Sequence, residues 1–223
     1  ISSRRDKVFA TVLTQLEGNP LEPALRTNAL ETARQLAGTI QFANTTLNTA
    51  REQVQEAATV SLDEANLQVA ELARINQNLV NARPGTVGEA ALLDTRDAAL
   101  RNLSEQIGVS ASFDERGVAT VRLADAAGGA SGGASGGSGA LLVDRFSANA
   151  INAATNAGGT LALGAGGVGV NPARGAIAGQ AAALDAQAEF QIQRDDIAAE
   201  VSARSNTAQT SGADQDGAAG QPL

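Results

Sequence analysis

PALRTNALETARQLAGTIQFANTTLNTAREQVQEAATVSLDEANLQVAELARINQNLVNARP, residues 23–84, contains no proline between its two ends. Leu36, Ile40, Ala43, Leu47, Ala50, Val54 and Ala57 follow alternating steps of four and three. After a slip of one residue the pattern resumes at Ala58, Leu62, Ala65, Val69, Leu72, Asn76 and Leu79. Ser61 and Glu64 have the spacing of a capping box, so the slip could mark a new helix. The other reading is a straight helix, because twelve steps from Leu36 to Leu79 average about 3.6 residues, which keeps the stripe on one face. Pro23 suits the first helical position, where its missing N–H costs nothing. The spacing therefore predicts one helix over about Pro23–Arg83, roughly 90 Å long and far beyond the globular mean, the mark of a rod-like assembly.

Polar positions of this helix are filled by amides and hydroxyls rather than by Lys and Glu: Asn44, Thr45, Thr46, Asn48, Gln53, Gln55, Gln68, Asn76, Gln77 and Asn78. Two readings stand side by side, a solvated face or a face that meets neighbouring subunits through hydrogen bonds without burying charge.

Upstream, Val8, Phe9, Val12, Leu13 and Leu16 predict a short helix over Arg5–Leu16, ended by Gly18-Asn19-Pro20. Downstream, Leu93, Leu100, Leu103 and Ile107 form an apolar stripe that predicts a helix over Ala90–Ile107, packed back on the long one. Asp94 and Asp97 would then complement its positive N-terminus, with Arg96 facing partly away. The period changes to two at Val109, Ala111 and Phe113; Asp114-Glu115-Arg116-Gly117 turns, and Val118–Leu123 returns as a β-hairpin. Gly128–Gly139 reads as a flexible Gly/Ser loop, with weaker strands at Ala140–Val143 and Thr160–Leu163. A last helix, about Ala173–Thr207, carries Ile177, Ala181, Leu184, Ala188, Ile192 and Val201 on or near one face, followed by a polar, glycine-rich tail.

The 223 residues include no His, Cys, Trp, Tyr or Met, and only 2% are aromatic. The core must be built from Leu, Ile, Val and Ala, which favours close helix packing over a deep aromatic pocket. The usual general base, the thiol nucleophile and the common transition-metal ligands are missing together, so most enzyme classes fall and no cofactor or metal site is expected. A net charge of -8 argues against nucleic-acid and anionic-membrane partners. No apolar run approaches the ~20 residues that span a bilayer. The chain opens at Ile1 rather than Met and reads as a soluble fragment of a longer protein.

Three motifs offer chemistry weakly. Gly164-Ala165-Gly166-Gly167-Val168-Gly169 fits GxGxxG, with Asp185 as a nominal ribose ligand, but Asn171-Pro172 interrupts the way into a helix and no strand–helix series surrounds it. A plain glycine turn is the better reading. Asp214-Gln215-Asp216-Gly217 lacks the first ligand and the closing glutamate of a calcium loop. Asp94 and Asp97, three residues apart on an exposed helix end, lack the desolvated cleft that would split their pKa values for acid–base work.

PALRTNAL (Pro23–Leu30) and LARIN (Leu72–Asn76), then LLDTRDAALRNLS (Leu92–Ser104) leading into the hairpin, resemble the bacterial flagellar hook-associated protein 1 family. GAIAG (Gly175–Gly179), Asn206 and GADQDGAAG (Gly212–Gly220) add to the likeness near the end. The positions that carry it are Pro23, Arg26, Leu92, Leu93, Asp94, Arg96, Asp97, Leu100, Leu103, Asn206, Gly212 and Asp214. Thr207-Ala208-Gln209 stands where relatives often carry His. The resemblance implies a non-enzymatic axial component at the hook–filament junction, exported unfolded through the flagellar secretion apparatus and extracellular in place. It also implies the hook protein, a second junction protein and further copies of itself as partners. An export chaperone would act through a C-terminus beyond this sequence, where an outer domain is also expected, and terminal tube-forming segments would flank both ends.

The expected fold class is mainly α with a small β part: an elongated bundle of long antiparallel helices with a β-hairpin subdomain. The expected domains are 1–107 (long-helix part), 108–172 (hairpin and Gly/Ser loop), 173–207 (return helix of the same bundle) and 208–223 (polar tail). Alternatives to the junction role are a flagellin-like filament subunit, which would lack LLDTRD followed by a hairpin, and a non-flagellar secreted helical binding module.

Overall fold

The computed structural model describes residues 2–19, 22–124 and 139–211. It is mainly α-helical with a small antiparallel β part: α1 (Ser2–Gly18), α2 (Pro23–Asn81), α3 (Val87–Gln106), β1 (Val109–Phe113), β2 (Ala119–Leu123), β3 (Leu141–Asp144), β4 (Ser147–Ala148), β5 (Ile151–Thr155), β6 (Leu161–Ala165), β7 (Val168–Val170) and α4 (Ala176–Ser211). The 59-residue α2 passes through Ser61 without a break, so the slip in the apolar pattern is helical drift and not a cap. Ser61 is buried, and its hydroxyl meets the side-chain amide of Gln180 at 3.1 Å. None of the helices in the described residues is long and apolar enough to cross a membrane. Contacts group the chain into two compact units, Ile1–Ala50 with Glu189–Leu223, and Arg51–Ala188; α2 and α4 contribute to both.

In the first unit the start of α2 and the end of α4 lie antiparallel. Asn48 faces Gln191 across the pair at 3.4 Å, and Arg194 bonds Asn44. These contacts supply a third answer for the amide-rich face, since part of it is used within the chain. Thr32, Thr39, Thr45 and Thr46 turn their hydroxyls back onto carbonyls four residues earlier. Leu36 is buried, whereas Ile40, Ala43, Leu47 and Ala50 are only half-buried, as two-helix packing dictates. Ile192, expected on the inner face of α4, is 63% exposed; the bonds of Gln191 and Arg194 to α2 turn the neighbouring Ile192 outward.

In the second unit the later stripe of α2 becomes core: Leu62, Ala65, Val69, Leu72 and Leu79 pack with Leu103 of α3 and its C-cap Ile107, Val121 and Leu123 of β2, and Ile177 of α4. The strands form a sheet in the order β1-β2-β3-β4 and a second in the order β5-β6-β7, all pairs antiparallel. Val109, Ala111 and Phe113 alternate with polar residues as a strand, but β1 is an edge strand and largely exposed on both faces. The buried face belongs to β2, at Ala119, Val121 and Leu123. Strands β4, β5 and β7 escaped the sequence reading.

Both sheets are tied to α2 by an asparagine that imitates a strand. Asn76 is fully buried; its Oδ1 accepts from Ala119 N–H and its Nδ2 donates to Ala119 C=O, each at 2.8 Å, and also to Arg145 C=O at 2.6 Å. One amide thus completes the ladder of β2 at a point where β3 no longer pairs with it. Asn66, ten residues earlier on α2, does the same to Ile151 of β5, accepting from its N–H at 2.8 Å and donating to its C=O at 3.0 Å. Leu79 and Ala82 carbonyls at the end of α2 accept from Arg116 of the hairpin turn at 3.2 and 2.7 Å, so a cation sits on the negative helix end. Near the middle of this half, the Arg74 guanidinium beside Glu71 holds its carboxyl below the usual carboxylate range. Folding then favours ionised Glu71, and the contribution is present above its unfolded pKa and fades as pH falls through the lower folded value. Its exposure keeps it small.

Removing Asn76 leaves the buried N–H and C=O of Ala119 and the part-buried C=O of Arg145 without this partner. Asn76→Ala is expected to destabilise by about 2–4 kcal/mol and Asn66→Ala by less, because that pair is part-exposed; urea unfolding measures both. Leu103→Ala, at a fully buried position, is expected to cost about 2–5 kcal/mol, and half-buried Leu100→Ala less.

Candidate functional site

The LLDTRDAALRNLS stretch lies on α3, which starts earlier than its apolar stripe suggested. Thr86 is the N-cap; its hydroxyl accepts from Glu89 N–H at 3.4 Å, and the Glu89 carboxylate reaches back to Gly85 N–H at 2.7 Å. The Thr-x-x-Glu spacing of a capping box is visible in the sequence, and here the return bond lands one residue before the cap. With the helix beginning at Val87, Asp94 and Asp97 lie in its second and third turns, too far along to complement its N-terminus.

Arg96 does not face away. Its side chain is 11% exposed and makes three kinds of contact. Nε and Nη2 donate to Asp97 Oδ1 at 2.9 and 2.6 Å, Nη1 donates to Gly117 C=O at 2.6 Å, and the guanidinium carbon lies 4.2 Å from the centre of the Phe113 ring. One cation therefore holds both sides of the hairpin, the ring at the end of β1 and the carbonyl at the close of the turn. Asp97, exposed, fixes the guanidinium in plane. Asp94 is exposed.

The turn is shaped to receive this clamp. The Asp114 carboxylate accepts from Arg116 and Val118 N–H, both at 2.9 Å, and Gly117 closes it with φ of 75°. A methyl on Gly117 would stand 2.6 Å from Leu93 Cδ2 and 2.8 Å from Arg96 Nη1, so any other residue strains the backbone and pushes both side-chain tips aside. Leu92, Leu93 and Leu100 pack partly buried against the core and Leu103 is fully buried within it. At the far end of α3, Gly108 N–H donates to Arg174 C=O at 2.7 Å. Gly175, with φ of 97°, brings the entry to α4 so close that a Cβ would lie 2.6 Å from Gln106 C=O. This assigns a physical reason to the first glycine of GAIAG.

The other signature positions are dispersed. Pro23 opens α2 and Arg26 is half-buried on its first turn, both in the first compact unit. Asn206 is half-buried on α4 in the same unit, its carbonyl accepting from Thr210 at 2.8 Å. Gly212 and Asp214, with the Asp214–Gly217 motif, lie outside the described residues, as does most of the Gly/Ser segment. The glycine-rich GAGGVG is the β6–β7 hairpin. Gly166 and Gly167 form its two-residue turn, with φ of 59° and 80°, and the pyrophosphate-binding helix of a dinucleotide fold does not follow. Among the described residues no group of three or more His, Cys, Asp or Glu side chains is placed to hold a metal ion. In the first unit Leu36, Ile40 and Val201 line a shallow, mainly apolar recess of about 310 Å3.

The geometry is that of a packing element, a helix clamping a hairpin. The family model of the flagellar hook-associated protein FlgK helical domain matches residues 1–223. The chain belongs to this family. Among solved structures, that of the flagellar hook junction protein FlgK from Burkholderia pseudomallei is similar, with a TM-score of 0.76 at 21% identity. The match covers 100% of this chain and 40% of that one, so the chain spans less than half the length of that FlgK, and the likeness speaks for a shared fold. No curated protein matches. The α3 clamp gives the LLDTRDAALRNLS stretch a packing role, a helix holding a hairpin.

Gly117→Ala is expected to lower stability by about 1–3 kcal/mol, through both the positive φ and the clash with Leu93 and Arg96. Asp97→Asn is expected to cost under about 0.5 kcal/mol, since its ion pair is largely exposed. Equal shifts of the two thermal unfolding midpoints would refute this division of labour.

Proposed function

We propose that the chain is the helical domain of a structural, non-catalytic protein that joins hook to filament in the bacterial flagellum. The match of the family model to all 223 residues is the observation that carries this reading. The geometry supports it: the LLDTRD motif serves to hold a hairpin on a helix, and the long α2 offers exposed amide, hydroxyl and apolar positions suited to subunit packing. Its partners would be the hook protein, a second junction protein and other copies of itself. An export chaperone would act through a C-terminal segment beyond this sequence, and the assembled protein would lie outside the cell.

The test is genetic complementation. The full-length protein carrying this domain, returned to a strain that lacks its own junction protein, is expected to restore motility and filament attachment, scored by electron microscopy. Bare hooks despite normal export would overturn the junction role and favour a secreted helical binding module.

A further inference from the structure

Strand β3 turns into β4 through two residues, Arg145 and Phe146. Arg145 has φ of 50°, and among the described residues no other non-glycine has a positive φ. Glycine or asparagine is the ordinary choice there, since an L side chain is strained. The backbone is held in this state from inside, by the buried Asn76 amide on the Arg145 carbonyl. The side chain is exposed, and among the described residues its guanidinium makes no hydrogen bond or ion pair. Phe146 beside it is 46% exposed. A strained residue kept at a tip, with a cation and a ring presented to solvent, points to use outside the chain.

A matching surface lies on α2. Glu56, Val60 and Asp63 are exposed, Val60 by 54%, and their spacing puts them within roughly 60° of arc on one helix face. Two carboxylates thus flank an apolar spot, the complement of an arginine beside a phenylalanine. We propose that the Arg145–Phe146 turn of one copy docks on the Glu56–Val60–Asp63 face of a second copy. The contact is heterologous, joining two different patches, so repetition builds a ring or a helical array rather than a closed pair. The inference rests on the assembly reading above for the identity of the neighbour, and its test is independent of that reading.

Sedimentation velocity on the 223-residue chain, from micromolar to millimolar concentrations, is the experiment. The wild type is expected to self-associate weakly, and less so at high salt. Arg145→Gly should weaken association at least about tenfold while leaving the thermal midpoint unchanged or higher, because glycine relieves the strain. Arg145→Glu should abolish association, and Arg145→Glu combined with Glu56→Arg should restore it. A wild type that stays monomeric throughout, an Arg145→Gly chain that associates like wild type, or a double variant that fails to recover would each overturn the proposal. A fall in thermal midpoint for Arg145→Gly would also overturn it, by assigning Arg145 to the fold. Hooks can regain filaments in the complementation assay while these outcomes fail, and the reverse.

Discussion

The second compact unit depends on the burial of one amide. A sheet must satisfy its backbone groups on both edges, and a helix offers none, because its own N–H and C=O groups are spent along its axis. Asn76 resolves the mismatch by presenting one donor and one acceptor in the spacing of a strand, and Asn66 repeats the device on the second sheet. With these two residues in place, Leu72, Leu79 and Val69 can close over Val121 and Leu123 without stranding polar backbone in the core. An apolar residue at either position would fill the volume and lose the ladder.

The same logic runs through α3. Helix and hairpin meet at a guanidinium that serves a ring, a carbonyl and a carboxylate together, and at a glycine whose missing side chain makes the space. At the other end of the hairpin turn, Arg116 closes the carbonyls of α2. Two arginines therefore position a short β element against two helices, and the acidic residues nearby, Asp97 and Asp114, orient side chain or turn rather than doing chemistry.

The long helix and its burial pattern were legible in the sequence because steps of four and three leave a mark at every turn. Boundaries were less so. Thr86 and Glu89 carry the start of α3, yet the apolar stripe begins later and drew the boundary with it. Asn76 falls within the stripe and among the amides, and nothing local tells which reading holds; its partners lie 43 and 69 residues away. Arg96 was read from helix position alone, whereas its direction is set by Gly117 and Phe113, beyond the helix. Strand β5, INAAT, carries its β-branched residues only at its two ends, and β7, VGV, is three residues long with a glycine at its centre, so neither announces itself, and pairing with β6 makes them strands.

In the first unit the threonine hydroxyls of α2 fold back on carbonyls of their own helix, and α2 meets α4 through the neutral Asn48–Gln191 pair and through Arg194 on Asn44. Coulombic contacts weaken as ions accumulate, over a screening length that shortens from about 30 Å at 0.01 M to about 3 Å at 1 M. Neutral hydrogen bonds of this kind have no such dependence. The amide pair between α2 and α4 is therefore insulated from salinity and holds the same geometry in fresh water and in brine, whereas the grip of Arg194 on Asn44 shares the screening of any charged group.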